Sequence, residues 1–317
     1  KKQSLSAPAV SRIHIHLEKH GAISHPARIL LCPADRLIAF VVNVAVSTEG
    51  QNIALNEYRL LRQLSGRVGS AWVPRVFGCD KVRIADQRHI QMFLGEWFDG
   101  FHEFHVSEKF GFGETSLRVW DPKNESLFLT RDLTQTVFEQ MAMILTAYYN
   151  IETFEQITSW HHAAGDFVVC LKKDKPIVKL ITVRGYEPLF NLSVASDGLE
   201  AILNTLLVFL LNLSIRLRVD RMDGVGDLTW IEANVVQGII HGFFKGLYLQ
   251  AENDHIPFEL IDVFKTFLLQ IPDMDIRKIF MGIVNQINPK SPDLPVIKQN
   301  VEVHVKTFLS EIERMKI

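Results

Sequence analysis

Apolar and polar positions alternate at the start of the chain. In Arg12–Leu17 (RIHIHL) every second residue is apolar, the two-residue period of a β-strand. Ala27–Cys32 (ARILLC) is a short apolar run, and Pro33-Ala34-Asp35 reads as a turn. Leu37–Val46 (LIAFVVNVAV), rich in β-branched and aromatic residues, predicts a third strand. The period then changes. Asn52–Leu64 (NIALNEYRLLRQL) has helical spacing, with Ile53, Leu55, Leu60, Leu61 and Leu64 supplying an apolar face. Val82–Ile84 and His89–Trp97 predict two more strands, and Asp99-Gly100 a turn. A strand-rich region around one helix follows from this pattern.

Helical spacing governs the remainder. After a turn-rich stretch, Lys109–Ser126, comes Leu133–Tyr149 (LTQTVFEQMAMILTAYY), an amphipathic helix with Thr130 or Asp132 as N-cap. Trp160–Val169 (WHHAAGDFVV) leads to a charged turn at Lys172–Lys175 and a strand-like run, Ile177–Val183 (IVKLITV). Long helices are predicted at Leu199–Leu217 and Ile231–Leu249, separated by a turn around Asp223–Asp227. Further helices are expected near Phe258–Leu269, Ile276–Gln286 and Val301–Met315. Strands first and helices afterwards make an α+β arrangement.

Composition narrows the partners. Of 317 residues 47% are hydrophobic, enough for a full core, and the net charge of -2 is dispersed. Without a Lys/Arg stripe there is no electrostatic reason to expect nucleic acid. The most apolar run, Ala201–Leu211, is shorter than the roughly 20 residues that a bilayer requires, so no membrane is expected. Three scattered cysteines, Cys32, Cys79 and Cys170, argue for a reducing, cytoplasmic setting.

LIAFVVNVA, NEYRLLRQL, HIQMFLGEWFDG, the helix Leu133–Tyr149, HHAAGDF and IVKLITV occur in that order. The series resembles the protein-kinase-like superfamily, and within it the aminoglycoside phosphotransferase and choline kinase branch. The resemblance implies a two-lobed fold. Residues 1–100 would form a small strand-rich lobe with one helix, hinged near 94–100. Residues 101–317 would form a larger helical lobe with a catalytic-loop-like segment at 160–189. ATP would lie in the interlobe cleft, near Glu96 and Trp97 of the hinge. The resemblance assigns Glu57 to the helix Glu that pairs with the strand Lys, Asp166 to the catalytic base and His162 to the loop histidine beside it.

Phosphoryl transfer depends on charge: a Lys and Mg²⁺ neutralise phosphate while an Asp takes the hydroxyl proton. Here the strand Lys position carries Asn43. The loop Asn position carries Leu171, and the metal-binding Asp falls at Thr182-Val183-Arg184. Only Gly21 precedes the third strand, so a glycine-rich phosphate loop is missing. Mg²⁺ chemistry is therefore not expected, and the reading is a degenerate, pseudokinase-like protein that binds a nucleotide or small metabolite in a regulatory role. Asp166 is either a structural loop residue or a base helped by the positive charge of Lys179 or Arg184. An active small-molecule phosphotransferase with unusual residues stays open. So does a homodimeric interaction protein joined through Leu199–Leu217 and Ile231–Leu249.

The other candidates have simpler readings. His161, His162 and Asp166 are too few for a closed metal site, so no metal is assigned. His14 and His16 share one strand face exposed to solvent. His102 and His105, in GFHEFH, are expected at the surface, and Cys170 in the core.

Overall fold

The computed structural model describes residues 10–18, 24–33, 38–68, 72–84, 88–109, 114–121, 127–158, 160–162, 165–189 and 198–315. Ala34 and Asp35 of the expected turn, Leu37 of the third strand, and Ala163 and Ala164 of the loop lie outside them. The chain divides into two compact units. The first holds residues 1–100 with Thr182–Gly185, and the second holds 101–181 with 186–317. The architecture is mixed α+β, with strands concentrated in the first unit and helices in the second.

In the first unit, β1 (Val10–Leu17), β2 (His25–Pro33) and β3 (Ile38–Ala45) form an antiparallel meander. Then α1 (Thr48–Leu64) intervenes before β4 (Val76–Arg83) and β5 (His89–Glu96), giving the sheet order β1-β2-β3-β5-β4. Ser47 caps α1, its Oγ accepting from Gly50 N at 3.1 Å, so the helix begins one turn before its apolar periodicity does. Along β5 from Ile90 onward the odd positions, Gln91, Phe93 and Gly95, are buried and the even ones half-exposed. Phe93, one of the buried set, meets Tyr58 of α1, so the odd face lies under the helix. β4 is longer than Val82–Ile84 predicted. Its first half, VFGCD, has weak strand propensity, and pairing with β5 supplies what propensity does not.

The second unit opens with a three-stranded sheet, β6 (Phe104–Glu108), β7 (Thr115–Val119) and β8 (Leu127–Phe128), part of it in a stretch expected to consist of turns. α2 (Arg131–Ala147) follows, capped by Thr130. β9 (Glu155–Thr158) precedes the hairpin β10 (Phe167–Lys172) and β11 (Lys175–Leu180). β11 ends at Leu180, and Ile181–Val183, expected to continue it, leaves the ladder. β12 (Gly185–Pro188) pairs with β9.

Next come α3 (Leu199–Arg216), the short pair β13 (Val219–Arg221) and β14 (Leu228–Trp230), and α4 (Val235–Glu252). α5 (Phe258–Gln270), α6 (Asp273–Gln286) and α7 (Leu294–Arg314) complete the unit, α7 starting about two turns before the expected Val301 with Pro295 in its first turn.

α3 is long and apolar enough to cross a membrane by composition, yet 61% of it is buried inside the protein. It packs with α4 and α5, where Phe209, Phe243 and Phe264 meet ring to ring. The two helices expected to form a dimer surface thus have their apolar faces occupied as the core of this unit.

Candidate functional site

The catalytic-loop-like segment is built around buried polar groups of the second unit. Asp166 is 1% exposed, and its Oδ2 accepts a hydrogen bond from His161 N at 2.7 Å. Its carbonyl accepts from Ile181 N, which holds the end of the β10–β11 hairpin to the loop. In this arrangement the carboxylate clamps the loop closed on itself. Gly165 precedes it at φ +71°, and an added Cβ would stand 2.8 Å from the Glu103 carboxyl carbon. The left-handed backbone favours glycine there, while the Glu103 carboxyl, at the end of a flexible side chain, could move aside.

His162 is equally buried, its ring lying 4.9 Å from that of Phe104 and 5.8 Å from those of Phe138 and His105. Its Nε2 approaches Asp220 Oδ2 to 3.2 Å, out of line for a full hydrogen bond. The other oxygen, Oδ1, is 2.9 Å from His105 Nδ1. Val106 N and Arg221 N also donate to the same carboxylate, at 2.8 and 2.7 Å. Burial opposes the charge on His105, but bonds to Asp220 and the nearby Glu103 outweigh it and raise the imidazolium to about 9. Burial likewise opposes the charge on Asp220. The two histidines around it prevail, and its carboxyl stays well below the usual range.

His105 therefore belongs to the interior, and the expected surface position is corrected. The strand GFHEFHV points it inward against Gly224, whose missing Cβ would lie 2.7 Å from the ring. His102 is half-buried, its backbone bridging Val169 of β10. Cys170 is half-buried rather than core. His161 Nε2 lies 3.0 Å from Asp293 Oδ2, which Arg216 also approaches. Asp293 loses some solvation there, but His161 and the nearby arginines lower its pKa.

The remaining candidates belong to the first unit. Glu57, 8% exposed on α1, accepts a short hydrogen bond from the Thr182 hydroxyl. One residue earlier, Asn56 Nδ2 donates to the carbonyl of Arg184 at 3.0 Å. The segment Thr182–Arg184 is thus docked on α1 by two consecutive helix residues. Asn43 pairs with Phe93 across the ladder, so it shares the α1-facing side of the sheet. Glu96 is gripped by Arg75, Nε to Oε2 at 3.1 Å and Nη2 to Oε1 at 3.2 Å, and Trp97 lies beneath the Arg28 guanidinium at 5.2 Å.

No family model and no curated protein matches the chain. Among the described residues, no group of three or more His, Cys, Asp and Glu side chains has the geometry to hold a metal ion.

The structure brings Glu57 to Thr182 and Asn56 to the Arg184 carbonyl in the first unit, whereas in the second Asp166 turns to His161 N and His162 to Asp220. Reading the chain missed His105 and Asp220 as partners of His162. His105 has the local signal of a polar residue between apolar neighbours, in FHV, and Asp220 has none in VDR, where Arg221 follows it.

Proposed function

We propose that the chain is a degenerate, pseudokinase-like protein of the two-lobed phosphotransferase kind, binding a nucleotide or small metabolite in a regulatory role without Mg²⁺-dependent transfer. The observation that carries this reading is the hydrogen bond from Thr182 to Glu57. In a competent site that glutamate holds a lysine against the phosphates, and an Asp in the stretch matched by Thr182–Arg184 binds metal. Here that stretch has no acid, its Thr182 donates to the helix glutamate instead, and Asn43 on the same sheet face brings no cation. The engagement of the Asp166 carboxylate by backbone supports the structural role over the base. The cytoplasmic setting suggested by three cysteines, none of them in a disulfide, belongs to the same reading.

The test is thermal unfolding of the full chain with ATP, in Mg²⁺ and in chelator. A ligand at about 100 times its Kd stabilises by about 2.7 kcal/mol, a readily measured rise in Tm. The expected result is the same rise with and without metal, and no consumption of ATP. A rise that requires Mg²⁺, together with ATP turnover abolished by Asp166→Asn, would establish an active phosphotransferase instead. No shift with any nucleotide removes the nucleotide from the proposal.

A further inference from the structure

Among the described residues, the five-stranded sheet of the first unit has two faces to cover and one helix. α1 covers the side that carries Phe93 and Ala45. On the opposite side, directly paired residues run across the strands in apolar rows. Ile15 faces Ile29, which faces Phe40, and beside them Ile13 faces Leu31, which faces Ile38. The Phe40 ring continues the surface to Phe77 of β4 at 5.4 Å, edge to face. On β1 the exposure is extreme: Ile13 is 59%, Ile15 67% and Leu17 56% exposed, and Phe77 at the other edge is 50% exposed. Such a strand inverts the usual rule for an outer sheet face, where polar side chains meet water. The histidines of β1 point to the α1 side instead.

We propose that this face is an interface between two copies of the chain, packed sheet on sheet about a two-fold axis. Area argues for it. Five strands about 4.8 Å apart, each about eight residues long at about 3.3 Å per residue, present on the order of 600 Å² per copy. Doubled, that reaches the lower range of stable protein interfaces, roughly 1,200–2,000 Å². Charge argues for a second copy over an unlike partner. The rows above are uncharged, Glu96 at one corner is held by Arg75, and the exposed Asp80, opposite Met92 on the same face, lies on the edge strand β4. The rows on β1, β2 and β3 thus carry no charge to select a complementary partner, and they match themselves under a two-fold axis without repulsion. Apolar sheets pack in this way about 10 Å apart in β-sandwiches.

Sedimentation of the full chain across a range of concentrations tests the proposal. The expected species has twice the monomer mass of 36.2 kDa. Ile13→Glu/Ile15→Glu on one edge and Phe77→Glu on the other should each weaken association by roughly 100-fold or more, because each buries charge in the apolar seam. All these positions are exposed, so circular dichroism should show an unchanged fold. Three results would overturn the proposal. They are a monomer at every concentration, with or without pelleting on anionic phospholipid vesicles; a dimer indifferent to all the substitutions; or a dimer broken by the β1 changes but not by Phe77→Glu, which would indicate edge-to-edge pairing of β1.

Discussion

At the scale of single residues, the second unit holds two buried histidines in opposite charge states. His304, on α7, lies between Arg218 and Ser214: Arg218 Nη1 is 3.0 Å from its Nδ1, and Ser214 Oγ is 2.9 Å from its Nε2. Arginine can only donate, so Nδ1 accepts and Nε2 carries the proton to Ser214. Burial and Arg218 hold His304 neutral, well below its ordinary 6.5. Burial also lowers Arg218, to about 10. Unfolding frees His304 to bind a proton, so its contribution is complete above pH 6.5 and falls below it, by at most about 1.4 kcal/mol per pH unit. His105 behaves in the reverse sense. Its raised pKa contributes stability that is complete below pH 6.5 and is lost as pH rises to about 9, about 3 kcal/mol across that window. Urea unfolding from pH 5 to 9.5 should therefore show a plateau near pH 6.5 with losses on both sides. His304→Gln should flatten the acid limb and His105→Gln the alkaline one. A variant that keeps the wild-type slope on its own limb would refute that assignment. None of this was legible in the chain, because 115 residues separate His105 from Asp220 and 86 separate Arg218 from His304.

Among elements, the closest packing is between α2 and α4. Gly238, Gly242 and Gly246 recur every four residues along α4, forming a stripe without side chains. Their partners advance in step along α2, from Gln135 to Glu139 to Thr146, so the helices run parallel. Lys245 bonds Glu139, and Gln250 Nε2 donates to Thr146 O at 2.6 Å, closing the pair at its C-terminal end. A Cβ at Gly242 would fall 2.0 Å from Glu139 O, a distance at which backbone must move. In an open helix Gly→Ala gains up to about 1 kcal/mol from propensity. At Gly242 overpacking reverses the sign, and Gly242→Ala should cost about 2 kcal/mol net. Gly282 of α6 is the internal comparison: nothing lies within 4 Å of its added Cβ, so Gly282→Ala should stabilise by about 0.5–1 kcal/mol. Denaturant midpoints that move in the same direction for both variants would contradict the packing argument. Elements of this kind were the legible part of the fold, since the 3.6-residue period of Leu133–Tyr149 is written in side chains of one helix. β6 and β7 were not. FHVSE and TSLRV are short and partly polar, and they become strands only by pairing with each other across a gap in sequence.

Over the whole molecule, the chain passes from the second unit into the first at Thr182 and returns at Tyr186. The two sides of that passage are anchored differently. β11 is held to α2 through one side chain, Gln140, which accepts from Val178 N at 2.9 Å and donates to Pro176 O at 2.6 Å. The following residues are held to α1 by Asn56 and Glu57. Contacts this local assign neighbouring amides to different cooperative units, and hydrogen exchange reads such units directly. Thr182→Val keeps the shape of the side chain and deletes the donor to the buried carboxylate of Glu57. Losing a hydrogen bond to a charged group costs about 1.5–3 kcal/mol. If opening of that unit governs exchange, amides in the middle of α1 and at Thr182–Gly185 should exchange roughly 10- to 100-fold faster. The β10–β11 amides should keep their wild-type protection, because Gln140 and α2 are untouched. Faster exchange in β11 with none in α1 would mean that Thr182 belongs energetically to the hairpin. It would also remove the Thr182–Glu57 bond as the foundation of the pseudokinase reading, since that reading needs the bond to hold the position expected to bind metal against α1.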